Sequence, residues 1–149
     1  MIITRRIEFD SGHRIPDHRS KCRHLHGHRY ALEVTVRGDV TRMDGDPRNG
    51  MVLDFSEVKT LMQQYIVDQW DHAFLVYAHD TRVLDFLRSM PDHRTVVLDV
   101  VPTAENLARK AFELLEPHIN ELCDKALILE NVRIYETPNC WADAEREKA

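Results

Sequence analysis

Hydrophobic residues fall at alternate positions in the opening stretch of the chain. Ile3, Ile7 and Phe9 share one parity, which predicts a strand over residues 1–9, and Ser11 and His13 continue that parity across Gly12. Residues 14–25 carry Pro16 and many polar or charged side chains, the composition of a loop. A clearer strand follows, in which Tyr30, Leu32, Val34 and Val36 alternate with Ala31, Glu33, Thr35 and Arg37. His26 and His28 keep step with its apolar set. Side chains two apart on an extended chain point to one face. Both histidine groups are therefore expected at strand ends, aimed towards the side the core occupies.

Beyond the strands the period changes. Met43 to Gly50 is rich in turn formers and reads as a loop before a short strand at Met51-Val52-Leu53. Asp54 and Glu57 stand three apart as in a capping box. Phe55, Val58, Leu61, Met62, Tyr65 and Ile66 then follow at helical spacing, predicting a helix to about Trp70 that exposes Lys59, Gln63 and Gln64. A weaker helical pattern covers residues 81–90 and stops at Pro91, and the β-branched run from Thr95 to Val101 reads as a strand. Pro102-Thr103 opens a second long helix with Leu107, Ala108, Ala111, Phe112 and Leu115 on one face, its end complicated by Pro117. A last strand spans residues 126–136, and the charged residues 142–149 read as a frayed tail. This order predicts one α+β domain over residues 1–149, an antiparallel sheet with its helices on one face.

Composition narrows the function classes. A chain of 149 residues is long enough to bury a real core, and its net charge of −5 opposes a nucleic-acid role. No apolar run approaches the ~18 residues of a membrane span, and Met1 to Arg6 lacks the basic-then-apolar order of a signal peptide. Three cysteines, Cys22, Cys123 and Cys140, are too few and too odd for a disulfide framework and suit a reducing cytoplasm. Histidine is the exception to ordinary usage: five of the nine lie between His13 and His28.

That cluster carries the candidate chemistry. His26 and His28 flank Gly27 and can reach one metal ion together. Imidazole suits zinc, and a catalytic zinc commonly takes three protein ligands and one open position. An isolated His-x-His also occurs as exposed strand residues; the nearby His13 and Cys22 shift the balance towards a metal site. Cys22 reads either as a small buried hydrophobe or, among Lys21, Arg23 and His24, as a thiol favoured as the reactive thiolate. His24 suits a ligand, a supporting residue or the surface. Asp71-His72 reads as a helix-end carboxylate beside a surface histidine, or as a pair in which the acid orients an imidazole for proton transfer. Glu136 has the parity of an apolar face at a strand end and needs partners there. Thr103 reads most simply as a helix N-cap, and Glu105 as a first-turn acid favoured by the helix dipole.

Taken in order, Phe9-x-Ser11-x-His13, Cys22-x-x-x-His26-Gly27-His28, Gly50-Met51-Val52-x-Asp54-Phe55, Asp71-His72, Pro102-Thr103-x-Glu105-Asn106 and Glu136-Thr137 resemble the 6-pyruvoyltetrahydropterin synthase/6-carboxytetrahydropterin synthase family over nearly the whole chain. Each motif is weak alone; the ordered set is specific. The resemblance implies the tunnelling fold, a four-stranded antiparallel sheet with two helices on one side, assembled as homotrimers or hexamers with active sites between subunits. It implies Zn2+ held by His13, His26 and His28, and 7,8-dihydroneopterin triphosphate as substrate. It also implies catalysis by Cys22, Asp71 and His72, with Glu136 anchoring the pterin and Thr103 and Glu105 beside it as substrate-binding candidates.

The three residues between Cys22 and His26 resemble the bacterial 6-carboxytetrahydropterin synthases of the queuosine and deazapurine pathway. Animal 6-pyruvoyl enzymes carry a longer insert. The expected reaction is therefore a zinc-dependent lyase step giving 6-carboxy-5,6,7,8-tetrahydropterin, acetaldehyde and triphosphate, with 6-pyruvoyltetrahydropterin as the alternative product. A non-catalytic zinc or pterin-binding relative is the competing class, opposed by the presence of Cys22, Asp71 and His72. A zinc hydrolase of another fold is weaker still, since no His-Glu-x-x-His pair is present. Two departures from the family stand out: the long segment from Ala73 to Val101, and the Asn139-Cys140-Trp141 ending.

Overall fold

The alternation of the first strand runs past residue 9. In the computed structural model, which describes residues 1–122 and 126–147, β1 covers Ile2–His13 and carries the buried Phe9, Ser11 and His13 in one unbroken parity. Its antiparallel partner β2 (His26–Arg37) is in register along its full length, from Ile2 opposite Arg37 to His13 opposite His26. Between them lies the loop 14–25, which contains a single 3-10 turn at Lys21–Arg23.

A helical run follows as α1 (Phe55–Met62), a π-helical turn (Gln63–Val67) and the short α2 (Asp68–Trp70). Asp54 caps α1 by accepting from the Ser56 N–H at 2.7 Å. The apolar stripe read from the sequence packs inward through Val58, Met62 and Ile66. α4 (Ala104–Glu121) is capped by Thr103 and buries Leu107, Ala108, Ala111, Leu115 and Ile119. Pro117 does not end it. A proline removes one ladder bond and crowds the turn before it, and here the buried Leu115 and Ile119 on either side hold the last turn in place.

The sheet differs from the expected four antiparallel strands. Among the described residues it has six, in the order β4-β3-β1-β2-β5-β6, where β5 is Ile128–Thr137 and β6 is Cys140–Glu145, with β3 (Ala73–Tyr77) parallel to both β1 and β4 (Thr95–Leu98). Residues 51–53 form no strand; Val52 and Leu53 reach the core from a loop closed by Thr41 N–H to Met51 O (2.8 Å) and Gly50 N–H to Thr41 O (2.9 Å). The expected tail is ordered as far as β6 (Cys140–Glu145), antiparallel to β5 (Ile128–Thr137). There Arg133 holds Asp143 through two bonds of 2.7 and 2.8 Å. Cys123 lies outside the described residues.

The two main helices, α1 and α4, pack into one core as expected, but not every helix shares their face. Leu75 joins the main core under α1 and α4, whereas Val76 packs with Val83, Leu84 and Leu87 of α3 (Thr81–Arg88). Neighbours on a strand point to opposite sides, so α3 covers the other face at the β3 end. This explains why β3 is apolar without alternation: it is buried on both sides.

Candidate active site

The register of β1 and β2 builds a three-histidine cluster at their ends. His13 faces His26 across the pair, and His28 sits one step inward opposite Ser11. The His13 Nε2 lies 3.1 Å from the Nε2 of His26 and 3.1 Å from that of His28, and one ring nitrogen from each residue falls within a 4.8 Å set. His13 Nδ1 is 2.7 Å from the Pro102 carbonyl and His26 Nδ1 is 2.7 Å from the His24 carbonyl. A carbonyl only accepts, so both Nδ1 atoms donate, and in neutral rings both Nε2 atoms turn lone pairs towards each other. Two lone pairs at that distance repel unless a cation stands between them.

The donor set fits a divalent ion such as zinc. Nitrogens on a tetrahedral zinc are about 3.3 Å apart for Zn–N bonds of roughly 2.05 Å. Protonation does not compete well. Burial, reinforced by the neighbouring His26 and His28 and only partly offset by the bond to Pro102, lowers His13 to about 4. Burial and then His26 also lower His28. Burial thus favours the neutral, ligating form of His13 and His28.

Gly27 is required between the two β2 histidines. A Cβ there would meet the Ser11 carbonyl at 2.8 Å, too close for the strands to keep their spacing. Gly27→Ala is expected to destabilise the fold by about 1–3 kcal/mol as an overpacked site. By prising His13 away from His26, it should also lower metal content. Thermal denaturation with and without chelator checks both; an unchanged melting temperature and metal content would contradict this account.

Glu136, near the end of β5, places Oε1 3.7 Å from His13 Nε2. That is proximity rather than an ion pair, because burial holds His13 neutral. Burial first, and then the charge of Glu105, raise the Glu136 carboxyl, with His26 acting in the opposite sense. Glu105 belongs to the first turn of α4, just after the Thr103 cap, whose Oγ1 accepts from Asn106 N–H at 3.2 Å. The cap uses a lone pair of that hydroxyl and leaves its proton for another acceptor. Tyr30 forms the floor: its ring lies 5.8 Å from His13 and 5.4 Å from His28, and its fully buried hydroxyl has no hydrogen-bond partner. Burial and the Glu136 charge push that phenol up.

Asp71-His72 is held apart from this cluster. Asp71 Oδ1 accepts from Asp10 N–H at 2.9 Å, and the His72 N–H donates to Asp10 O at 2.7 Å. His72 Nδ1 then donates to Asp71 Oδ2 at 2.9 Å. Burial would raise Asp71, but the bonds from Asp10 and His72, with the charge of Arg94, outweigh it and leave the carboxyl below its usual range. His72 adopts φ 56°, a left-handed conformation uncommon for any residue but glycine; such conformations recur at working sites. Its exposed ring borders a groove with Asp10, Gly12, Phe74 and His93, which Gly27 and its neighbours His26 and His28 also line. Asp10 and Gly12 point away from the face that carries Ser11 and His13. The dyad is thus clamped at the outward-facing Asp10 of β1, whereas the histidine rings converge around the inward-facing His13. Cys22 stands half-buried on the 3-10 turn of the connecting loop.

The 6-pyruvoyl tetrahydropterin synthase family model matches residues 2–147. The chain belongs to this family. Among its relatives, the 6-carboxy-5,6,7,8-tetrahydropterin synthase of Rickettsia bellii is 36% identical over 140 residues, covering 94% of this chain and 96% of that protein. The Haemophilus influenzae protein of the same name is 30% identical over 144 residues, covering 95% and 96%. Of solved structures, Caenorhabditis elegans 6-pyruvoyl tetrahydropterin synthase superposes with a TM-score of 0.68 at 26% identity, covering 99% of this chain and 96% of that one. An uncharacterised Wolinella succinogenes protein gives 0.75 at 25% identity, with 99% of both chains covered.

Within this family member, the structure unites His13, His26, His28 and Glu136, brings Glu105 near, and leaves Cys22 on its loop and Asp71-His72 beyond β1. His24 contributes its carbonyl to His26 while its ring is exposed. Sequence reasoning missed Tyr30, the Pro102 carbonyl and the Asp10 backbone clamp. Tyr30 alone was open to detection, since it shares the parity of His26 and His28. A backbone carbonyl or amide leaves no mark in residue type.

Proposed function

We propose that the protein converts 7,8-dihydroneopterin triphosphate to 6-carboxy-5,6,7,8-tetrahydropterin, releasing acetaldehyde and triphosphate, with zinc held by His13, His26 and His28. The observation that carries this reading is the convergence of three imidazoles beside Glu136. When bound, zinc supplies Lewis-acid chemistry that polarises side-chain oxygens and acidifies neighbouring C–H bonds. The Pro102 and His24 carbonyls hold two rings in the ligating tautomer. Glu136, whose charge is disfavoured by burial and by Glu105, gains stabilisation from the amino and ring N–H groups of a pterin, with Thr103 and Glu105 at the same end of the pocket. Asp71 stays ionised and fixes the His72 tautomer, leaving Nε2 as a base facing the groove. Cys22 is the second proton carrier. Since the dyad is clamped at the outward-facing Asp10 while the histidine rings converge around the inward-facing His13, the working site takes its Asp71-His72 from a neighbouring copy. Assembly as a homotrimer or hexamer fits the exposed apolar depression formed by Met1, Ile3, Met51 and Phe55.

No helix among the described residues is long and apolar enough to cross a membrane. The proposed enzyme is cytoplasmic and acts on a small molecule rather than on nucleic acid. The product assignment leans on the relatives named as 6-carboxy synthases and on the short Cys22-to-His26 spacing. A second reading, 6-pyruvoyltetrahydropterin synthase, draws on the similarity to the Caenorhabditis elegans enzyme. Incubation with 7,8-dihydroneopterin triphosphate decides between them. Acetaldehyde formed in step with a 6-carboxy pterin supports the first; triphosphate released without acetaldehyde, with a 6-pyruvoyl product, supports the second.

Glu136→Gln is expected to weaken 7,8-dihydroneopterin binding by about 1–3 kcal/mol, as for loss of a charged hydrogen-bond partner in a desolvated site. Calorimetry on the zinc-loaded protein measures it. An unchanged dissociation constant would return Glu136 to a purely structural place beside His13.

A further inference from the structure

Asp80 is one of three buried polar residues among those described, with Ser11 and His13. It occupies the N-cap position of α3, yet its carboxylate makes no cap bond. Both oxygens go to Arg14, at 2.5 Å from Nε and 3.0 Å from Nη2, the two-pronged geometry in which a guanidinium matches a carboxylate. Arg14 is the first residue after β1, directly following His13. Its remaining nitrogen, Nη1, donates to the carbonyl of Arg23 at 3.4 Å, and the next residue, Ile15, donates its N–H to the carbonyl of Cys22 at 2.8 Å. Two successive residues thus grip two successive carbonyls of the turn that carries the cysteine, and the grip is anchored on a buried acid.

We infer that Asp80, acting through Arg14, is a positioning residue that fixes the Cys22 turn for proton transfer. The inference rests on the proposed catalytic role of Cys22. Loops of this length and polarity have few restraints of their own. Within 14–25 the other backbone–backbone bonds are the short-range closures His18 to Ile15, Arg23 to Ser20 and His24 to Lys21; Ser20 N–H also donates to His18 Nδ1, and the His24 carbonyl accepts from His26 at the far end of the loop. Asp80 lies in the long segment between Ala73 and Val101, so that segment does more than extend the sheet: it supplies the fixed point for the thiol. A plain ion pair would stabilise the fold without affecting the thiol, whereas a brace would set both the reactivity of the thiol and the turnover number. A thiolate displaced by about 1 Å can lose about 10²-fold in rate.

The test uses the zinc-loaded protein and Asp80→Asn, with iodoacetamide as the thiol probe. The expected result is parental zinc content, a kcat lower by about 10- to 100-fold and a KM within about twofold. Alkylation of Cys22 should become severalfold faster as the turn loosens, while the exposed Cys140 alkylates at its parental rate. Asp80→Glu, which keeps the charge and the fork, should recover most of both. Folded Asp80→Asn with parental kcat and parental Cys22 alkylation would overturn the inference, as would equal acceleration at Cys140. If Asp80→Asn does not fold, Arg14→Lys removes the fork and the Arg23 contact with the charge retained, and the same readouts apply. Full turnover in Cys22→Ala would instead defeat the catalytic reading of Cys22; the alkylation rates would still decide whether Asp80 sets the turn.

Discussion

His26→Ala and His28→Ala are each expected to lose zinc and, with it, turnover by more than about 10³-fold, the equivalent of several kcal/mol of charge stabilisation in the transition state. The fold should survive. Both residues are only partly buried, and the His24 carbonyl released by His26→Ala lies in an exposed loop where water can replace the ring. His13→Ala should behave differently. That ring is buried and bonded to Pro102 O, so its removal leaves an unpaired carbonyl and a void, adding about 1–3 kcal/mol of destabilisation to the loss of metal. Metal analysis and thermal denaturation separate the two behaviours. Full zinc occupancy in both β2 variants would remove these histidines from the metal centre.

The contrast shows what the sequence carried about this site. Period-two alternation placed His26 and His28 on the inner face of β2, and the parity of Ile3, Ile7 and Phe9 carried His13 to the inner face of β1. Their meeting depends on register, which Gly12 opposite Gly27 permits by letting the two backbones approach. The long helices were legible because each buries one stripe and has its own cap, Asp54 and Thr103. β3 was not, because Ala73-Phe74-Leu75-Val76-Tyr77 is apolar throughout, and a short apolar run has no period to separate strand from helix. β6 was hidden for the opposite reason. Apart from the exposed Trp141 its residues are small or charged, and they are held by pairing with β5 and by the Arg133–Asp143 contacts rather than by burial. The Arg14–Asp80 pair joins residues 66 positions apart. Nothing local to either residue announces the other.

The Asp71-His72 dyad was legible only as a motif, and its placement poses the sharpest question about the proposed assembly. Cys22→Ala and His72→Asn should each reduce turnover by at least about 10²-fold, as for loss of a proton-transfer group. Asparagine is the informative replacement for His72, since it tolerates the left-handed backbone found there and isolates the chemical loss from a conformational one. If the dyad serves the cluster of a neighbouring copy, the two inactive variants can repair each other. Unfolded together and refolded as mixed oligomers in equal amounts, they should regain about a quarter of the parental sites, those that pair an intact Cys22 with an intact His72 across an interface. A doubly substituted chain refolded with the parental protein serves as the control for random mixing. Were cysteine and dyad to act within one chain, every mixed site would lack one of them, and the refolded mixture would stay as inactive as its components.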